Sequence, residues 1–336
     1  MLQKLLHSHV AQRRFLSDVA TATPDNGNHW TARAGQPSVM PRRKSIPEFT
    51  KAGRPRCRGA SPYEPRFQAT IAAIFALSNS CGGLRNGSIV DSGAHVGGES
   101  CLYADYAPDR IVHAIDPLRA NVDLMRTRYR DRTNLIPLQA GLGSVDRVVD
   151  ITSTKIVARG IGGKGAAMLL NVAQAKSATL QRAEDSRTAF RVLRLDDMFA
   201  PSGAWAHEKL AFAHFDVEGS ELDVLQGARE VIARDRPIFT AEVATGMTEY
   251  AEKLLEEIGL LGYEAYAFAE KCGENRDCRN LICLPKDRAL PILSGVPLLA
   301  SGSYLVNSST MLNQKMSWQL KAGRKQAEKL ARSATC

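Results

Sequence analysis

The stretch Ser88-Ile89-Val90-Asp91-Ser92-Gly93-Ala94-His95-Val96-Gly97-Gly98 decides the fold of this chain. An apolar run ends on an acid, three glycines follow within seven residues, and a helical pattern opens at Glu99. Glycine permits a tight turn and lets the backbone approach a ligand with no Cβ in the way. Amides at the start of the next helix then face that ligand. Strand, glycine turn and helix in this order form a cradle for a nucleotide-type cofactor.

The neighbouring sequence extends the pattern. Arg66–Asn79 has helical spacing, Ile111–Ile115 is a second strand ending in Asp116-Pro117, Leu118–Arg130 is helical, and Leu135–Leu138 is a third strand. The order β-α-β-α-β signals a parallel sheet in an α/β protein. Alternation returns with strands at Phe190–Leu195, Leu210–Asp216 and Pro237–Val243 and helices at Ser220–Ala233 and Tyr250–Leu261. Ser220 and Asp223 have capping-box spacing. Tyr263–Phe268 and Asn280–Leu284 read as a closing hairpin around a polar turn. Four glycines around Lys164 lack the spacing of a phosphate-binding loop and read as a mobile loop or lid.

The glycine pattern discriminates between cofactors. Asp116 ends the second strand 23 residues after Gly93, where a carboxylate can accept from both hydroxyls of a ribose. A dinucleotide would want glycine where His95 stands, and a pyrophosphate would be repelled by Asp91. S-adenosylmethionine carries an ammonium and a sulfonium, so an acid at Asp91 favours it. An NAD(P)-dependent oxidoreductase is the alternative enzyme.

A second acidic segment, Asp216-Val217-Glu218-Gly219-Ser220-Glu221, follows the strong apolar strand. Ligands in open α/β sheets sit beyond the carboxyl ends of strands. Asp216 and Glu218 share a face of an extended chain, and an acid ending an apolar strand is costly without a purpose. Glu221 and Asp223 read as acids complementing a helix N-terminus. Glu242 ends the next strand. His214 is either a satisfied core histidine or an acid–base group. Asp216, Glu218 and His214 are the candidate catalytic residues. The expected site holds no metal, a divalent cation on Asp216, Glu218 and Glu242 being a variant.

The 336 residues carry a formal charge of +9, placed unevenly. Residues 1–60 hold a net +8 and residues 301–336 a net +5, which leaves −4 for 61–300. The chain is therefore read as a basic N-terminal tail (1–60), a mildly acidic domain (61–300) and a basic, partly helical C-terminal tail (301–336). Because the basicity lies in the tails, nucleic-acid binding does not follow. The alternative from another class is a non-catalytic adaptor acting through those tails.

Residues 1–22 resemble an organellar transit peptide or a plain basic tail, and no apolar run reaches transmembrane length. The chain is expected to be soluble, in the cytoplasm or an organelle. Seven scattered cysteines suit a reducing compartment and unremarkable thiols. Cys272, Cys278 and Cys283 cluster without zinc spacing, and Cys272 and Cys278 could pair where the compartment oxidises.

From about Ser88 to Pro285 the chain resembles the FkbM family of S-adenosylmethionine-dependent methyltransferases. The landmarks are IVDSGAHVGGES at 89–100, AIDP at 114–117, NLIPLQAGLGS at 134–144, LDDMF at 195–199, DVEGSELDVLQGA at 216–228, PIFTAEV at 237–243 and NLICLP at 280–285. The resemblance implies a Rossmann-like class I methyltransferase fold: a mostly parallel seven-stranded sheet, helices on both faces and a terminal antiparallel hairpin. It implies O-methylation of a sugar, glycan or small natural product. Carried over to this chain, Asp91, Gly93 and Gly97 line the methionine end of the cofactor. Asp116 holds the ribose, Leu142 sits near the adenine, and Asp216 and Glu218 face the transfer site. Two positions depart from the family pattern. Asp116 stands where Glu is common, and His214 stands where Lys is common.

Overall fold

The computed structural model describes residue 57 and residues 64–77, 82–150, 189–244, 248–268 and 278–306. The two outer tails, most of residues 1–60 and all of 307–336, lie outside the described residues, as do the glycine-rich stretch around Lys164 and the residues Cys81, Cys272 and Cys336.

β1 (Ser88–Ser92) is buried along its whole length, which is why it reads as an apolar run rather than an alternating one. It pairs in parallel with β2 (Val112–Asp116) on one side and β7 (Leu210–Phe215) on the other. β3 (Leu135–Gln139) extends the sheet beyond β2, and β8 (Ile238–Ala244) extends it beyond β7, both in parallel. β10 (Cys278–Pro285) runs antiparallel to β8, and β9 (Tyr263–Phe268) runs antiparallel to β10, forming the expected hairpin. An eighth strand, β11 (Ser303–Val306), lies antiparallel on the edge of β9. It was not foreseen: seven strands were expected, and this one comes from the start of the segment read as a tail. The order is β11-β9-β10-β8-β7-β1-β2-β3. Strand order reverses between β1 and β7, so the ligand crevice opens beyond their carboxyl ends.

Alternate residues of β1 serve two cores. Ile89 packs with Phe67, Ile71 and Ile74 of α1 (Pro65–Ala76) and with Tyr103 of α2 (Gly98–Tyr106). Val90 packs with Val224 of α5 (Glu221–Gln226), Val231 of α6 (Arg229–Asp235) and Leu254 of α7 (Thr248–Leu260). Period-two alternation thus puts one helical layer on each face of the sheet. On the first face, α3 (Arg119–Arg128) adds Val122 and Met125.

Three local expectations need correction. The strand near Phe190 spans Ala189–Leu193 as β6 and joins a separate small sheet with β4 (Gly141–Leu142) and β5 (Arg147–Asp150), not the main one. Leu195 begins α4 (Leu195–Phe199) instead of ending that strand. The helix expected at Ser220–Ala233 is broken in two at Gly227, where the chain passes against Gly143 and Ser144, just after β4. A Cβ on Gly227 would stand 1.9 Å from the carbonyl oxygen of Gly143. Ser220 makes no side-chain cap hydrogen bond, so the capping box does not form.

The cysteine reading is also corrected in part. Cys57 and Cys101 form a disulfide, tying a residue of the presumed linker to α2. Cysteine spacing carries no sign of this pair, since the partners are 44 residues apart and meet only through the fold. Cys283 is a free, buried thiol.

Candidate active site

The glycine turn after β1 is shaped by contacts from two neighbouring strands. Gly93 has φ +85°, and a Cβ on it would lie 1.6 Å from the carbonyl oxygen of Asp216. Only glycine lets the turn meet the end of β7 this closely. Gly93 N and Ala94 N both donate to the Ile115 carbonyl at 3.0 Å. His95, at φ +49°, donates its main-chain N–H to Asp116 Oδ2 at 2.8 Å. Gly97, expected at the methionine end of the cofactor, has φ +77°, and a Cβ on it would come within 3 Å of Met125 and Tyr129.

Asp116 is buried, and its carboxylate already holds three donors. Oδ1 accepts from Leu118 N at 2.8 Å and from Asn121 Nδ2 at 3.0 Å, while Oδ2 accepts from His95 N. A carboxylate has about four acceptor positions, so about one is left for a ligand unless a donor turns away. Burial raises its pKa and these donors oppose the rise.

The acidic segment after β7 owes its shape to Glu221. Its Oε1 accepts from Val217 N at 3.0 Å and Gly219 N at 3.1 Å, and its Oε2 accepts from the Tyr250 hydroxyl at 2.7 Å. These bonds hold Glu218 at φ +53° and Gly219 at φ +93°. Glu221 and Asp223 are acids in the first turn of α5, as expected, and Glu221 is in addition a buried clamp on the turn before it. Asp223 also accepts from Ser144 Oγ and lies 3.6 Å from Arg147 Nη2.

Between these two turns lies a cavity of about 410 Å³. One end is apolar, with Leu118, Leu142 and Phe190; Gly141 beside them avoids a clash with the Phe190 ring. The other end carries Asp91, Glu99, Asp216, Glu218 and His214. Among the described residues lining the cavity none is Lys or Arg.

Electrostatics at the acidic end follow from enclosure. Burial pushes Asp91 up to about 7, with the charge of Asp116 adding to the rise, and pushes Glu99 up to about 8, with Asp91 and Asp216 adding to it. Asp216 is pushed up to about 6, and Glu242 goes well above the usual carboxylate range. Asp216 and Glu242 hydrogen-bond to each other, which requires a shared proton. The oxygens of Asp216, Glu218 and Glu242 lie within 4.8 Å of one another. His214 lies beside Asp91 in the β1–β7 register, and its Nδ1 is 2.5 Å from Thr240 Oγ1. Desolvation drops its pKa to about 4, so it is neutral at neutral pH.

The chemistry fits a cationic adenosyl cofactor. Asp91 Oδ2 accepts from Ser100 Oγ, but Oδ1 is buried with no partner. A buried carboxylate oxygen left orphaned is expensive and suits a bound ammonium. The Cβ-free turn at Gly93, a ribose-competent acid and an apolar end for a base complete the donor set. Sequence reading did not find Phe190, Asn121, Tyr250 or Glu64.

A comparison with family models agrees. The model of the Methyltransferase FkbM domain matches residues 91–273, more than half of the chain. No curated protein matches. Solved structures with similar folds include the methyltransferase FkbM from Methylobacillus flagellatus KT, at 19% identity and a TM-score of 0.39. That alignment covers 62% of this chain and 47% of that chain, so this chain spans about half the length of the Methylobacillus protein. Aeropyrum pernix fibrillarin with natively bound S-adenosyl-L-methionine aligns at 14% identity and a TM-score of 0.34, over 63% of this chain and 76% of that one. An rRNA methylase from Streptococcus thermophilus aligns at 11% identity and a TM-score of 0.33, over 68% and 99%. The family match carries the assignment, and it sets aside the nicotinamide alternative: the chain belongs to the FkbM methyltransferase family, with S-adenosylmethionine as its methyl donor.

Proposed function

We propose that this chain methylates a hydroxyl oxygen of a small molecule, sugar or glycan. The observation that carries the reading is the Asp216–Glu242 pair at the crevice, a carboxylate couple with a raised proton affinity beside the cavity. A hydroxyl must lose its proton as its oxygen is methylated, and a base with a pKa near the working pH serves best. Asp216, at about 6, meets that condition. His214, at about 4, is too weak a base, and its role is to pack against Phe67 and Tyr103 and shape the wall.

S-adenosylmethionine supplies an electrophilic methyl group when bound, so the protein's task is mainly positioning. Asp91 and Glu99 would hold its ammonium, Asp116 its ribose, and Leu142 and Phe190 its adenine. Gly93 brings the two turns together, and Gly97 sets the angle of α2 by packing. Glu218, held at positive φ by the Glu221 clamp, orients the acceptor. The acid wall also supports a small or glycan acceptor over a polyanion, since phosphates would be repelled. Among the described residues no helix is long and apolar enough to cross a membrane.

The test is a pair of substitutions. Asp216→Asn should abolish transfer of labelled methyl while S-adenosylhomocysteine still binds. Asp116→Ala should chiefly weaken that binding. Wild-type turnover in Asp216→Asn removes the proton-acceptor assignment.

A further inference from the structure

The two oxygens of Asp116 are unequally used. Oδ1 accepts from Leu118 N at 2.8 Å and from Asn121 Nδ2 at 3.0 Å, whereas among the described residues Oδ2 accepts from His95 N alone, at 2.8 Å. Each oxygen of an ionised carboxylate offers about two acceptor positions, so Oδ1 is filled and Oδ2 keeps about one. A ribose brings two neighbouring hydroxyls to this place. One can donate to Oδ2, and the other needs a second acceptor close by.

Asn121 carries that acceptor. It lies in the first turn of α3, is half-buried and lines the cavity together with Asp116 and Leu118. An ionised carboxylate can only accept, so the Asn121 amide must turn its nitrogen to Asp116, and this fixes where its oxygen goes. Among the described residues nothing donates to that Oδ1. The acceptor is thus set in place before the ligand arrives, and little side-chain freedom is lost on binding. The His95 ring also lines the cavity, but it is exposed and no hydrogen bond fixes it among the described residues.

We propose that two side chains share the ribose of the methyl donor: one hydroxyl donates to Asp116 Oδ2 and its neighbour donates to Asn121 Oδ1. Asn121 is then a cofactor-binding residue as well as a strut for Asp116, and it makes the site selective for a ribose that keeps both hydroxyls. The inference concerns the methyl donor and holds whatever the acceptor is.

The experiment is calorimetric titration of the full chain with S-adenosylhomocysteine and with its 2′-deoxy and 3′-deoxy analogues. The wild type should bind each analogue about tenfold more weakly than the parent, the ordinary worth of one hydrogen bond in a polar site. Asn121→Ala should bind the parent about tenfold more weakly, yet bind one of the two analogues as the wild type does, because the hydroxyl that Asn121 held is already missing there. The other analogue should weaken by the same factor as the parent. Asn121 is half-buried, so its loss opens no core cavity, and the melting temperature of the ligand-free variant checks that it folds. Asn121→Ser gives the same comparison if Asn121→Ala does not fold. Weakening of all three ligands by one factor makes Asn121 a strut alone and overturns the shared ribose. Unchanged binding of all three overturns it too, as does finding the selective loss in His95→Ala instead.

Discussion

The hydroxyl of Tyr250 donates to Glu221 Oε2 at 2.7 Å and accepts from Leu222 N at 3.1 Å, so one side chain on α7 holds the turn that carries Asp216 and Glu218. Glu221 cannot donate in return while ionised, and it spends its other oxygen on the main-chain amides of Val217 and Gly219. The pair converts a glycine-containing loop into a rigid part of the site.

Tyr250→Phe should therefore cost about 1 kcal/mol of stability, the ordinary worth of one hydrogen bond. Methyl transfer should fall further than that loss explains, because Glu218 is released from its positive φ. Thermal unfolding and a labelled-methyl assay on the same preparation check the two effects. Unchanged transfer would show that the clamp does not matter to the site.

Gly93→Ala and Gly97→Ala should separate two kinds of glycine. The first would drive a methyl into the Asp216 carbonyl and should destroy S-adenosylhomocysteine binding, read by calorimetry. The second would press on Met125 and Tyr129, away from the cavity. It should lower the melting temperature while the folded protein still binds the cofactor product.

Stability of the ligand-free protein should fall as pH rises. Asp91, Glu99 and Asp216 have folded pKa values of about 7, 8 and 6, all above their ordinary values. Between the unfolded and folded values the folded state binds more protons, so stability declines with pH across that window. The melting temperature should drop from pH 5 to pH 8.5. Asp91→Asn should flatten the slope, and S-adenosylmethionine, placing positive charge beside these acids, should flatten it too. A melting temperature that rises over this range would refute the assignment. Transfer should move the opposite way and fade as pH falls through about 6, where Asp216 takes up its proton.

The Cys57–Cys101 bridge closes a separation of 44 residues. On the loop-entropy account, a bridge of this span contributes about 4 kcal/mol. Cys57→Ser should lower the melting temperature, and reductant should lower it in the wild type but not in the variant. Equal response of the two proteins would mean that the bridge does not form in solution.

Much of the site was legible because its signals are local. Asp91, Gly93 and His95 sit within five residues, and the turn they form depends on their own φ angles and on the strand before them. Asp116 and Asp216 were legible because each ends an apolar strand of a parallel sheet, and the carboxyl ends of such strands meet at one crevice. At Gly97 spacing shows that a glycine is needed, but only the fold shows Met125 and Tyr129 against the space that its missing Cβ leaves.

The sequence by itself determined the α/β architecture, the glycine turn and the acids at the crevice, since strand periodicity and turn chemistry act over a few residues, and its motifs carried the resemblance to the family. Only the tertiary structure decided the eighth strand, the broken helix at Gly227, the Cys57–Cys101 bridge, the role of Tyr250 and the contact of Glu64 with Asn280. Glu64 and Asn280 touch across 216 residues of chain. No local pattern encodes such a contact, because it exists only once the sheet has set β10 beside β8 and laid α1 across them.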